Sequence, residues 1–94
     1  MRIKPEQTSL ITDCVHHHLG DVARIWLFGS RLDDAKRGGD IDLYVETVER
    51  SLMSELRCKH LLEDMLDAPI DLIVRAPGDA SPIALIAKRE GIAL

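Results

Sequence analysis

Ninety-four residues make one domain with a single modest core, and 46% hydrophobic with 30% charged residues is the balance of a soluble globular protein. A formal charge of −4 leaves no general electrostatic footprint for nucleic acid, which argues against a DNA- or RNA-binding module. No run approaches membrane-spanning length and the N-terminus lacks the apolar region of a secretory signal, so a cytoplasmic protein without a membrane partner is expected.

In chain order, the first helix is expected from Pro5, which suits a first helical turn, to near Gly20. Leu10, Ile11, Cys14, Val15, His18 and Leu19 recur at helical spacing and form its buried stripe. The run His16-His17-His18 invites a metal reading, but adjacent helical residues point about 100° apart and do not share a face. A packing or surface role is expected for it. Residues 23–28, "ARIWLF", read as a short strand that stops at Gly29, with Trp26 and Phe28 on one face as core rather than as base-stacking rings. A polar, glycine-tipped loop over 33–39 follows, with room for one helical turn just after Ser30.

From Asp40 to Thr47 the chain alternates strictly. Asp40, Asp42, Tyr44 and Glu46 point one way, and Ile41, Leu43 and Val45 the other, as in a half-buried strand with a polar face. Residues 49–67 read as a long helix with Leu52, Leu56, Leu62 and Leu66 on a drifting apolar face, ended by Pro69. His60, beside Lys59, is expected to face solvent. "IDLIV" (70–74) is the third strand, and "APGD" (76–79) is a turn. The last helix has Ser81 as N-cap, Pro82 at its first position, Lys88 and Arg89 in its last turn and Gly91 as terminator. Cys14 and Cys58 are too few and too separated for a disulfide framework or a zinc knuckle, and read as ordinary half-buried thiols. The expected fold is a single α/β domain over 1–94, a small mixed sheet with helices packed on its apolar face.

The chemistry concentrates in "LFGSRLDDAKRGGDIDLYVE" (27–46). Asp40 and Asp42 leave one strand face roughly 7 Å apart along the backbone, so their carboxylates can lean onto one cation. Asp71 opens the third strand, and if the two strands are neighbours three carboxylates converge. Hard oxygen donors without His or Cys suit Mg²⁺ or Mn²⁺ rather than zinc. Two such ions about 4 Å apart can organise an in-line displacement at phosphorus. Gly29-Ser30 supplies the complementary part, a backbone that lets a phosphate approach closely and amides that face the anion. An anion cradle beside a metal site is what a nucleoside triphosphate requires.

"GSRLDDAKRGGDIDLYV" resembles the signature of the minimal nucleotidyltransferases, members of the DNA polymerase beta-like superfamily: a Gly-Ser pair, a loop, D-x-D within "DIDL", and a later third carboxylate. The resemblance covers residues 22–75. It implies that fold, with Gly29, Ser30 and Arg31 toward the triphosphate of ATP and Asp40, Asp42 and Asp71 holding two Mg²⁺ ions. Asp71 would also help activate the attacking group. Two departures stand out: "RLDD" replaces the family's more usual loop after Gly-Ser, and Gly39 replaces a hydroxyl before D-x-D. Asp33 and Asp34 add negative charge there, against which Arg31, Lys36 and Arg37 are available.

Ninety-four residues leave almost no surface to enclose an acceptor, and none for template-binding domains. The resemblance therefore implies a protein acceptor: a helical HEPN-domain toxin, adenylylated on a tyrosine by this chain as its antitoxin. AMP on that tyrosine adds bulk and negative charge where an RNA phosphate must sit. The rival reading is a non-catalytic subunit or antitoxin that neutralises its partner by occlusion.

Overall fold

The structure, a computed structural model, describes residues 4–29, 41–49 and 51–94. Helix α1 (Pro5–Leu19) leads into strand β1 (Arg24–Phe28), followed by β2 (Ile41–Glu46), α2 (Leu52–Leu66), β3 (Ile70–Arg75), α3 (Pro82–Glu90) and a two-residue β4 (Ile92–Ala93). The strands form one mixed sheet in the order β3-β2-β1-β4. β1 runs antiparallel to β2 and to β4, while β2 and β3 are parallel and joined by the α2 crossover. No helix among the described residues is long and apolar enough to cross a membrane.

The helix boundaries follow the expected punctuation. Pro5 sits in the first turn of α1, and Gly20 takes a φ of 108° just after it. The Ser51 hydroxyl caps α2 by accepting from the Ser54 amide at 3.3 Å. Ser81 occupies the N-cap position of α3, but its hydroxyl donates to Asp79 rather than accepting from the helix. β4 escapes a pattern reading because two residues carry no period. It forms because Gly91 lets the chain drop from α3 directly onto β1: a Cβ there would overlap the Ala87 carbonyl oxygen and lie 2.8 Å from that of Leu27.

The sheet is covered on both faces, which corrects the expectation of helices on one face. Ile25, Leu27, Ile41, Leu43 and Val45 pack with Ile11, Val15 and Leu19 of α1 and with Cys58 and Leu62 of α2. Trp26, Phe28 and Tyr44 point the other way and pack under Ala84 and Ala87 of α3. The two alanines are fully buried, and their small side chains let the helix lie close to the rings. Trp26 and Phe28 are core, as expected. The α2 stripe is narrower than the leucine spacing implied: Leu62 is buried and Leu66 packs against the core, but Leu52 and Leu56 are exposed. Leu56 lies about 120° round the helix from Leu62, beyond the contact face. Leu10 is likewise largely outside the α1 stripe.

Because α3 covers the Tyr44 face, Glu46 is buried and needs partners. Lys88 of α3 forms an ion pair with Glu46 Oε2, the Tyr44 hydroxyl donates to the same oxygen at 2.8 Å, and the Gly78 amide donates to Oε1 at 3.3 Å. Burial alone would raise the Glu46 pKa, but the bonds from Lys88, Tyr44 and Gly78 outweigh it and hold the carboxyl below its ordinary value. Burial, followed by the bond to Glu46, pushes the Tyr44 phenol well above its own. This cluster fastens α3 to the sheet. Glu46→Gln should cost about 1–3 kcal/mol, discounted for the partial exposure of Lys88, and lower the Tm by several degrees. Since the folded pKa is depressed, the advantage of the native carboxylate is full above the ordinary carboxylate range and shrinks as pH falls through the folded value. Melting curves of both proteins from neutral to acidic pH should therefore converge on acidification.

Candidate active site

Asp42 and Asp71 occupy the second positions of parallel strands β2 and β3 and are partners in register. Partners across a sheet point to the same face with backbones about 4.8 Å apart, so the two carboxylates leave the sheet side by side. Phe28, the last residue of β1, is the partner of Asp42 on the other side, which brings Gly29 to the same end of the sheet. Asp42 is half-buried and Asp71 exposed.

Gly29 is fixed by sterics as well as by conformation. Its φ of 83° is in the region that L side chains rarely adopt, and an added Cβ would overlap Asp42 Oδ2 and lie 2.9 Å from its Cγ. Glycine at 29 is thus what allows the Asp42 carboxylate to lie against the end of β1. The structure brings together Gly29, Asp42 and Asp71. Ser30, Arg31 and Asp40 lie outside the described residues, as do the loop charges Asp33, Asp34, Lys36 and Arg37.

Two carboxylates on one face offer hard oxygen donors and neither sulfur nor imidazole, a set that fits Mg²⁺ or Mn²⁺. Glu46, on the same face of β2 two pleats further on, is occupied by Lys88, Tyr44 and Gly78 and plays a structural part. A pocket of about 430 Å³ lies at the opposite end of β2, between Leu19–Val22 and Thr47–Glu49, and holds none of these acids. It is a gap between loops rather than a continuation of the acid cluster.

The family model described as a nucleotidyltransferase domain matches residues 9–94. This chain belongs to that family. The described elements account for most of the matched span, and the mixed sheet with three helices is the nucleotidyltransferase fold. No curated protein gives a significant match. Among solved structures, a chain of the crystal structure of a toxin–antitoxin MntA–HpeT mutant aligns at a TM-score of 0.70 and 21% identity, over 93% of this chain and 69% of its own. At that identity the likeness is one of fold.

One cluster on the opposite face of the sheet was missed in the sequence. Cys14, His18 and Cys58 present ligand atoms that all lie within 4.8 Å of one another. The signal was the i, i+4 spacing of Cys14 and His18, which places both on one side of α1; only the packing of α1 on α2 adds Cys58.

Gly29→Ala should cost about 1–3 kcal/mol, from the disfavoured φ and the displaced Asp42, and should weaken Mn²⁺ binding at the same time. Asp42→Asn should weaken Mn²⁺ binding with little change in Tm. Titration calorimetry with Mn²⁺ beside thermal melts separates the two effects, and a Gly29→Ala variant with native Tm and affinity would remove the steric link between glycine and carboxylate.

Proposed function

We propose that this nucleotidyltransferase domain transfers AMP from ATP to a hydroxyl group of a partner protein, and that the partner is a helical HEPN-domain toxin for which this chain is the antitoxin. The observation that carries the catalytic part is the in-register pairing of Asp42 with Asp71 beside Gly29 at one end of the sheet. With Asp40, two residues earlier in the chain, these carboxylates would hold two Mg²⁺ ions. Bound there, the metal would supply positive charge to the triphosphate oxygens and to the developing charge at phosphorus.

The chain's own residues have distinct tasks in this scheme. Gly29, Ser30 and Arg31 bind the triphosphate, the glycine by leaving the backbone open to a close phosphate. Asp71, the more exposed acid, faces the acceptor and takes the hydroxyl proton. The acceptor oxygen then forms a bond to the α-phosphorus, and the bond from that phosphorus to the β-phosphate bridging oxygen breaks, releasing pyrophosphate.

A protein acceptor is supported by the surface of α2. Leu52 is 70% exposed, Met53 58% and Leu56 41%, apolar area on one helix that a partner can cover. The same surface supports the rival, occlusion without chemistry. The fold shared with a chain of a toxin–antitoxin complex is compatible with either.

The two readings separate in one experiment. Purified chain, partner, Mg²⁺ and ATP labelled at the α-phosphate should give a labelled partner whose mass rises by AMP units. Asp71→Asn should lower the labelling rate by about 10²–10⁴-fold at unchanged Tm. Full labelling by Asp71→Asn would remove Asp71 from catalysis. Neutralisation of the toxin by Asp42→Asn without any label would leave occlusion as the mechanism.

A further inference from the structure

Where α1 packs on α2, the two cysteines and one of the histidines meet. Cys14 Sγ lies 3.8 Å from Cys58 Sγ and 3.7 Å from His18 Nδ1. Cys58 is fully buried and Cys14 nearly so, while His18 is half-buried at the edge of the cluster. Two Zn–S bonds of about 2.3 Å at a tetrahedral angle set their sulfurs about 3.8 Å apart, and a Zn–S with a Zn–N bond sets sulfur and nitrogen about 3.6 Å apart. Both separations match edges of a zinc tetrahedron, and the third pair, His18 with Cys58, lies within 4.8 Å, an edge that closes by a rotation of the half-buried imidazole.

We propose that Cys14, His18 and Cys58 form a Zn²⁺ site that ties α1 to α2, separate from the carboxylate site on the other face of the sheet. The donor chemistry selects the ion. Two thiolates and an imidazole are soft and borderline ligands, which take Zn²⁺ and discriminate against Mg²⁺. The charge also balances: two thiolates with a divalent cation and a neutral imidazole form a net neutral unit, which a mostly apolar helix interface can hold.

A fourth ligand has a place as well. A pocket of about 260 Å³, lined by Cys14 and His18 together with Leu10, Asp13, Leu61 and Met65, opens beside the cluster and admits a water molecule.

Loading has two local costs. His18 Nδ1 is 2.9 Å from the Cys14 carbonyl oxygen, to which it donates in the Nδ1–H tautomer; ligation moves that proton to Nε2 and gives up the bond. Burial raises both thiols, Cys58 to about 12, so in the metal-free chain both stay protonated at neutral pH. On binding, two S–H bonds break, two Zn–S bonds form and two protons pass to solvent, so affinity rises with pH. The site is distinct from a disulfide, which would draw the sulfurs to about 2 Å and leave His18 without a part.

The test is titration of the reduced full-length chain with Co²⁺, followed by competition with Zn²⁺. One thiolate-ligated Co²⁺ per chain is expected, counted by its thiolate-to-cobalt charge-transfer absorption and the intense visible bands of the tetrahedral ion, both abolished by Zn²⁺; an ion held by the carboxylates contributes to neither signal. Cys58→Ser should abolish the charge-transfer band or reduce it by half. His18→Asn, at a half-buried position that leaves the core intact, should weaken binding by at least about tenfold and covers the case in which Cys58→Ser does not fold. Absence of the bands in the reduced chain would overturn the proposal. Equal binding by His18→Asn, or by a folded Cys58→Ser, would place the ion elsewhere and overturn it as well.

Discussion

Strand β2 is hydrogen-bonded on both edges and buried on both faces over most of its length, and every carboxylate it carries must be reconciled with that position. A buried carboxylate is tolerated only with a cation or several donors at hand. Glu46, at the far end of the strand, meets the requirement with Lys88, Tyr44 and the Gly78 amide, and in doing so fixes α3 against the sheet. Asp42, on the same face at the near end, is half-buried and lies against Gly29, which carries no side chain to cover it. One face of one strand thus holds a structural acid and the acid of the proposed metal site. What separates them is which end is roofed.

Pairing extends the consequence to β3. Parallel register sets Asp71 beside Asp42 and Arg75 beside Glu46, so a second acid arrives at the open end and a base at the closed one. The α2 crossover is what makes that pairing parallel, and the contacts of Cys58 and Leu62 with the α1 side of the core hold the crossover in place. The helix interface on one face and the acid pair on the other are therefore two results of the same topology.

Much of this was legible in the sequence, for physical reasons. The strict alternation in "DIDLYVE" marked β2, and proline and glycine punctuation marked α1 and α3 within a residue or so. The side-by-side acids followed from D-x-D and a strand-opening Asp71 once neighbouring strands were assumed. Less was legible where the answer depends on three-dimensional packing. A polar-looking strand face gave no sign that α3 would cover Tyr44 and Glu46, because alanine at 84 and 87 is a weak hydrophobic signal. Leu52 and Leu56 read as core because leucine does not declare which side of a helix will find a partner. Cys14 and Cys58, 44 positions apart, meet only through the packing of two helices.

The central claim is that the paired strand starts hold the divalent ions of a nucleotidyl transfer. Crystals grown with Mn²⁺ and a non-hydrolysable ATP analogue test it most directly, through the anomalous scattering of manganese. The account predicts Mn²⁺ bound by the Asp42 and Asp71 carboxylates, with the triphosphate beside Gly29. Ordered nucleotide with Mn²⁺ away from both aspartates would contradict it.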